Sequence, residues 1–149
     1  MDIKDFLSPD DALVDVRIAD KTELLKDLSS RAAAALGIEA GSVATAILKR
    51  EELGSTGVGA GVALPHARLA EVKRPFGVLA RLRRTIDFAA IDGEPVDLVF
   101  LLLLSAAPGG DPLNALAAVS RRLRNPEVAA ALRRVDTAGA LHRAICGGS

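Results

Sequence analysis

The pattern of apolar and polar positions is organised around one run, Val96 to Leu104, which is apolar except for Asp97 and has the length of a strand. A strand without polar alternation is covered on both faces, so this one is predicted at the centre of a sheet with helices on each side. Ala12 to Arg17 partly alternates and is rich in β-branched residues, which predicts an early strand at a sheet edge. Phe76 to Leu82 reads as another strand, Ile86 to Phe88 as a short extended piece, and Asp92-Gly93 with Pro95 as a turn. Val62-Ala63-Leu64 is a third strand-like segment, running into Pro65.

Between these runs the period changes to that of a helix. Asp20 and Glu23 form a start signal, Leu24, Leu25, Leu28, Ala32, Ala35 and Leu36 recur at helical spacing, and Gly37 is the stop. A second helix is predicted from about Ala40 to Leu53, with Val43, Ala46, Ile47 and Leu53 on its apolar stripe and Gly54 after it. Ser105 to Asp111 is a loop, and Asp111 caps a third helix that has Pro112 in its first position. Leu113, Leu116, Ala117, Ser120 and Leu123 are its expected inward stripe, with Arg121, Arg122 and Arg124 outward. Short helices from Pro126 to about Arg134 and from about Thr137 to Ile145 follow, before a Gly-Gly-Ser end that is expected to fray. Strands mixed with helices, without repeats or linker composition, predict one α/β domain over residues 1–149 with a mixed rather than purely parallel sheet.

Composition narrows the function. The 149 residues are half hydrophobic, enough for one core of ordinary size, and 19 basic and 19 acidic residues cancel. Without a block of like charge there is no nucleic-acid surface and no electrostatic membrane anchor. Four Phe and no Trp or Tyr leave no material for a base-stacking platform. Cys146 is the single cysteine and forms no internal disulfide. The first residues lack the features of a signal peptide, and Leu98 to Leu104 is far shorter than the ~20 residues that span a bilayer, so the expected location is cytoplasmic, with no membrane insertion.

Chemistry concentrates in Gly54 to Arg68. Gly54, Gly57, Gly59 and Gly61 are tolerated where main chain turns tightly or approaches something closely, and Pro65 biases Leu64 to an extended conformation, so His66 is presented at the end of a stiff element. Two readings stand side by side. His66 is a satisfied structural residue and Arg50 a charge partner for the C-terminal end of its helix, or Arg50 is an anion clamp beside the glycine loop. The spacing Gly57-x-Gly59-x-Gly61 follows a helix and precedes a strand, the reverse of a dinucleotide fingerprint, and no Lys-Ser/Thr follows, so no nucleotide is expected. His66 and His142 lie far apart with no Cys or carboxylate cluster at ligand spacing, so no metal is expected, and His142 reads as a solvent-facing helix residue. Ser55 and Ser120 lack the context of a nucleophile elbow.

The string from Arg50 to Arg68, Arg-Glu-Glu-Leu-Gly-Ser-Thr-Gly-Val-Gly-Ala-Gly-Val-Ala-Leu-Pro-His-Ala-Arg, resembles the active-site region of enzyme IIA domains of the fructose/mannitol class of the bacterial sugar phosphotransferase system, in particular the nitrogen-related branch. The resemblance runs from about Asp11 to Ile145 and includes Ala90 to Phe100 and Leu116 to Leu123. It implies a mixed, about five-stranded sheet sandwiched between helices. It also implies that His66 accepts a phosphoryl group from a histidine-containing phosphocarrier protein, with Arg50 near it and no cofactor. A neutral imidazole is a suitable nucleophile, and phosphoryl transfer is catalysed mainly by positioning and electrostatics. Ser55 and Thr56 offer hydroxyls, the amides of Gly57 and Gly59 offer donors, and Arg68 is a candidate for the rim.

The phosphate would pass to a permease component or, in the nitrogen-related branch, act as the signal itself; a chain without a permease module favours the second. One position departs from the family. Where the flanking helix usually opens with a second histidine in a His-Leu pair, this chain has Pro112-Leu113, with Asn114 close by. The alternative is therefore a module that binds regulatory partners through the same surface with His66 unphosphorylated. Capture of a small anion by the loop is a third reading.

Overall fold

The computed structural model describes residues 2–107 and 112–147, and the expected Asp111 cap and Gly148-Ser149 end lie outside them. The elements are β1 (Ala12–Val16), α1 (Lys21–Leu36), α2 (Ala40–Glu52), β2 (Gly57–Gly59), β3 (Val62–Ala63), β4 (His66–Leu69), β5 (Phe76–Ile86), β6 (Val96–Ser105), α3 (Pro112–Arg124), α4 (Pro126–Arg134) and α5 (Ala138–Cys146), with two 3₁₀ turns before β1.

They form one mixed sheet of order β1-β5-β6-β3-β2, with β4 also on β6. The apolar run is central, as its pattern requires: β6 lies antiparallel to β5 on one side and parallel to β3 and β4 on the other. Its alternate residues feed two cores. Leu98, Phe100, Leu102 and Leu104 join the layer built with α3, α4 and α5, while Val99, Leu101 and Leu103 join the layer built with α1 and α2. All are essentially buried, each contributing about 2 kcal/mol of hydrophobic stabilisation. β1 is an edge strand parallel to β5.

Six strands stand where about five were expected, because Pro65 divides one line into two. Val62 and Ala63 pair with Leu98 and Val99, and His66 resumes the same register opposite Leu102. The strand thus continues past His66 instead of ending there. The proline nitrogen faces β6, as does the Pro65 carbonyl that accepts from Leu102 N–H at 2.9 Å, so the missing N–H removes one ladder bond and parts β3 from β4. β5 likewise takes in Ile86, the first residue of the piece read as separate, with a register shift against β6, while Asp87 and Phe88 lie beyond the strand.

α1 and its cap follow the sequence: Asp20 accepts from Glu23 N–H at 2.8 Å and Gly37 closes the helix in the left-handed region. Ala35, expected inside, is exposed, and Ser29 and Ala33 are buried instead. α3 is rotated further from expectation. Ala115, Ala118, Val119 and Leu123 are its buried residues, a helical i, i+3, i+4, i+8 series, so Leu113 (72% exposed) and Ala117 face outward. Arg122, expected outside, reaches inward, donating to the carbonyls of Ile145 (3.0 Å) and Ala144 (2.7 Å) at the end of α5.

Candidate active site

His66 owes its position to the two residues before it. Leu64 N–H donates to Thr56 O at 2.9 Å, Pro65 O accepts from β6, and proline fixes its own φ, so the backbone is held from both sides. His66 Nδ1 lies 2.8 Å from Leu64 O. A carbonyl only accepts, so Nδ1 carries the proton, and in the neutral ring Nε2 keeps the lone pair.

The ring lines a cleft of about 720 Å³ together with Ala46, Lys49, Arg50, Glu52, Leu53, Ala67 and Arg68. Three cations and one carboxylate surround it, and among the described residues none of the four is in an ion pair. Arg50, in the last turn of α2, donates through one guanidinium nitrogen to Gly54 O at 2.8 Å. That bond closes the helix end. It also fixes the guanidinium beside the cleft. Leu53, expected on the apolar stripe of α2, is 86% exposed at the cleft's margin, because it follows the last helical turn as the cap.

The structure does not bring Ser55 and Thr56 to this cleft. Ser55 Oγ donates to Phe88 O at 2.9 Å and accepts from Gly57 N–H at 3.0 Å. Thr56 is buried, with its N–H (3.1 Å) and its hydroxyl both donating to the Glu51 carboxylate. Lys21 Nζ completes the network, 2.9 Å from Glu51, 3.1 Å from Phe88 O and 4.3 Å above the Phe88 ring. These two hydroxyls brace the turn from α2 into β2.

Gly57 belongs to the same brace, and Gly59 lies beyond it in the β2–β3 hairpin, next to Asp92. Gly57 lies against Ala90, whose Cβ would stand 2.7 Å from any Cβ placed there, and so permits no side chain. At the tip of the β2–β3 hairpin, Ala60 and Gly61 both have positive φ (56° and 79°). Arg133 of α4 clamps this tip, donating to Ala60 O at 2.9 Å and forking onto Asp97 at 2.8 to 3.2 Å. From the opposite side Asp92 accepts from Ala60 N–H and Glu94 N–H, both 3.0 Å, and these bonds, Ala60 first, lower its pKa. Asn114 is exposed on the first turn of α3, outside the residues that line the cleft.

Sequence reading missed Lys49, which neighbours Arg50, and the pairing of Lys21 with Glu51, for which distant residues offer no periodic signal. His142 is a correction: it is half-buried, with Nε2–H donating to Leu7 O at 2.8 Å. Burial raises the pKa of the nearby Cys146 thiol. Among the described residues no group of three or more His, Cys, Asp or Glu side chains is placed to hold a metal ion, and no helix is long and apolar enough to cross a membrane.

A mixed sheet between two helix layers is a fold shared with known proteins. Residues 5–146 match the model of the phosphoenolpyruvate-dependent sugar phosphotransferase system EIIA 2 family, and the chain belongs to that family. Within it, the chain is 42% identical over 142 residues to a nitrogen regulatory protein of Bradyrhizobium diazoefficiens, covering 95% of this chain and 93% of the relative. The crystal structure of nitrogen regulatory protein IIA-Ntr from Neisseria meningitidis superposes with a TM-score of 0.90 at 29% identity, covering 96% of this chain and 98% of that one. IIA mannitol from Escherichia coli shares the fold, with a TM-score of 0.75 at 17% identity over 91% of this chain and 96% of its own.

Proposed function

We propose that the protein is a phosphoryl acceptor of the phosphotransferase system, taking the group on His66 Nε2 from a histidine-containing phosphocarrier protein. The observation that carries this reading is the Nδ1 bond to Leu64 O, which assigns the lone pair to Nε2 in a ring lining a cleft with three cations. The Nε2 pair attacks phosphorus in line. The P–N bond of the donor breaks, and its electron pair returns to the donor imidazole. His66 then carries the phosphoryl group and a positive ring, whose Nδ1–H remains bonded to the Leu64 carbonyl. Arg50, with Lys49 and Arg68 at the margin, balances the charge on the phosphoryl oxygens.

Ser55, Thr56 and Gly57 act at one remove, by bracing the turn that holds Gly54 O for Arg50, and Gly59 only shapes the hairpin beyond it. No cofactor takes part. The added charge, about −1.5 to −2, changes which proteins dock at the exposed Leu53 margin, and in this reading the phosphate is itself a signal; that the relatives are named nitrogen regulatory proteins supports a regulatory role.

The test is to incubate the protein with phosphorylated carrier. Acid-labile, base-stable phosphate should appear and be absent in His66→Ala. Phosphate on the variant would end the proposal. Pro112, where the family usually has a second histidine, favours a second reading, partner binding without transfer. Under that reading wild type takes up no phosphate, and binding of a regulatory partner is the same with and without phosphorylated carrier.

A further inference from the structure

A second basic concavity lies towards the other end of β6. Arg81 of β5 stands opposite Leu98, near the start of that strand, whereas His66 is opposite Leu102. Just beyond Arg81, a cavity of about 430 Å³ is lined by Arg17, Ile18, Ala19, Arg83 and Arg84, and it shares no residue with the His66 cleft.

Neighbouring residues of a regular strand face opposite sides, so Arg83 and Arg84 would not ordinarily line one cavity. Here the pairing of β5 with β6 shifts register between Arg81 and Ile86, and that of β1 with β5 shifts between Leu13 and Val16, where Asp15 takes a φ of 55°. Irregularities of this kind re-aim side chains. Their result is three exposed arginines lining one hollow. Asp15 approaches Arg83 at 3.7 Å, and among the described residues Arg17 and Arg84 have no hydrogen-bond or ion-pair partner.

The geometry points to a binding site for a small phosphomonoester. Three guanidiniums against one carboxylate leave two positive charges, the complement of a phosphomonoester dianion, and forked donors suit its terminal oxygens. The volume is that of a small-molecule site and exceeds what a bare phosphate fills. Ile18 and Ala19 supply an apolar surface for the rest of the molecule. The inference does not depend on phosphoryl transfer at His66.

Phenyl phosphate, inorganic phosphate, sulfate and phenol are titrated separately into the ¹⁵N-labelled chain. Phenyl phosphate should give saturable shifts at the amides of residues 17–19 and 83–84, more tightly than phosphate or sulfate, and phenol should give none. Arg17→Ala and Arg84→Ala should each weaken binding about tenfold, and Arg17→Lys should not fully restore it. Affinity should fall as pH drops through about 6, where the ester takes up its second proton. Circular dichroism verifies that the variants fold. Absence of saturation, binding unchanged in the double variant Arg17→Ala/Arg84→Ala, sulfate binding as tightly as phenyl phosphate, or shifts centred on residues 49–53 and 66–68 would each overturn the assignment.

Discussion

The two histidines of the chain do the same thing to opposite effect. Each donates a ring N–H to a backbone carbonyl at 2.8 Å. His66 uses Nδ1 and a carbonyl two residues back, so its bond orients the ring without joining distant parts of the fold. His142 uses Nε2 and the carbonyl of Leu7, so its bond ties α5 to the N-terminal turn. A local bond leaves a side chain available for chemistry, and a long-range bond spends it on stability. Which nitrogen is used, and whose carbonyl accepts, separates the two roles.

Substitutions can break this contrast. The largest expected effect is at His66: His66→Asn keeps an amide donor near the Nδ1 position and removes Nε2, so phosphate uptake from the carrier should fall to background while stability stays within about 1 kcal/mol of wild type by urea unfolding. Next comes the brace beneath the cleft. Glu51→Ala leaves the Lys21 ammonium and the Thr56 donors without their carboxylate, and should cost about 2–3 kcal/mol, less than a fully buried pair because Lys21 is 24% exposed. His142→Ala should behave as the mirror image of His66→Asn, losing about 1–2 kcal/mol through the unpaired Leu7 carbonyl with phosphate uptake unchanged.

The smallest effect concerns pH. Asp92 has a folded-state pKa below its ordinary 3.8, so its contribution is fully present above that value and is lost as pH falls through the lowered one. Asp92→Asn should therefore slightly lower the melting temperature at pH 7, and the difference should vanish in stronger acid. A difference that persists there would show that Asp92 holds the hairpin by shape and not by charge.

The sequence disclosed what local pattern and unpaired backbone demand. The β6 run had to be central because nothing polar alternates along it, and α1 carried its cap and stop within a few residues of its ends. Rotation about a helix axis was less legible. In α3 the large leucines pointed to one stripe, and Leu123 is indeed inside, but it is joined there by Ala115, Ala118 and Val119, and Leu113 is left out. His66 and Arg50 were legible through the string that joins them. The brace of Lys21, Glu51 and Phe88 was not, since a salt bridge and a carbonyl contact between distant residues leave no periodic trace.

Pro65 has one more consequence. An open strand end with its amides facing outward is a template on which a foreign chain can add itself, and repeated addition leads to aggregates. Because Pro65 divides the line, the strand that His66 opens runs only to Leu69, and so short an edge, with the charged Arg68 on it, templates poorly. The margin can then stay uncovered for transient visitors without recruiting permanent ones.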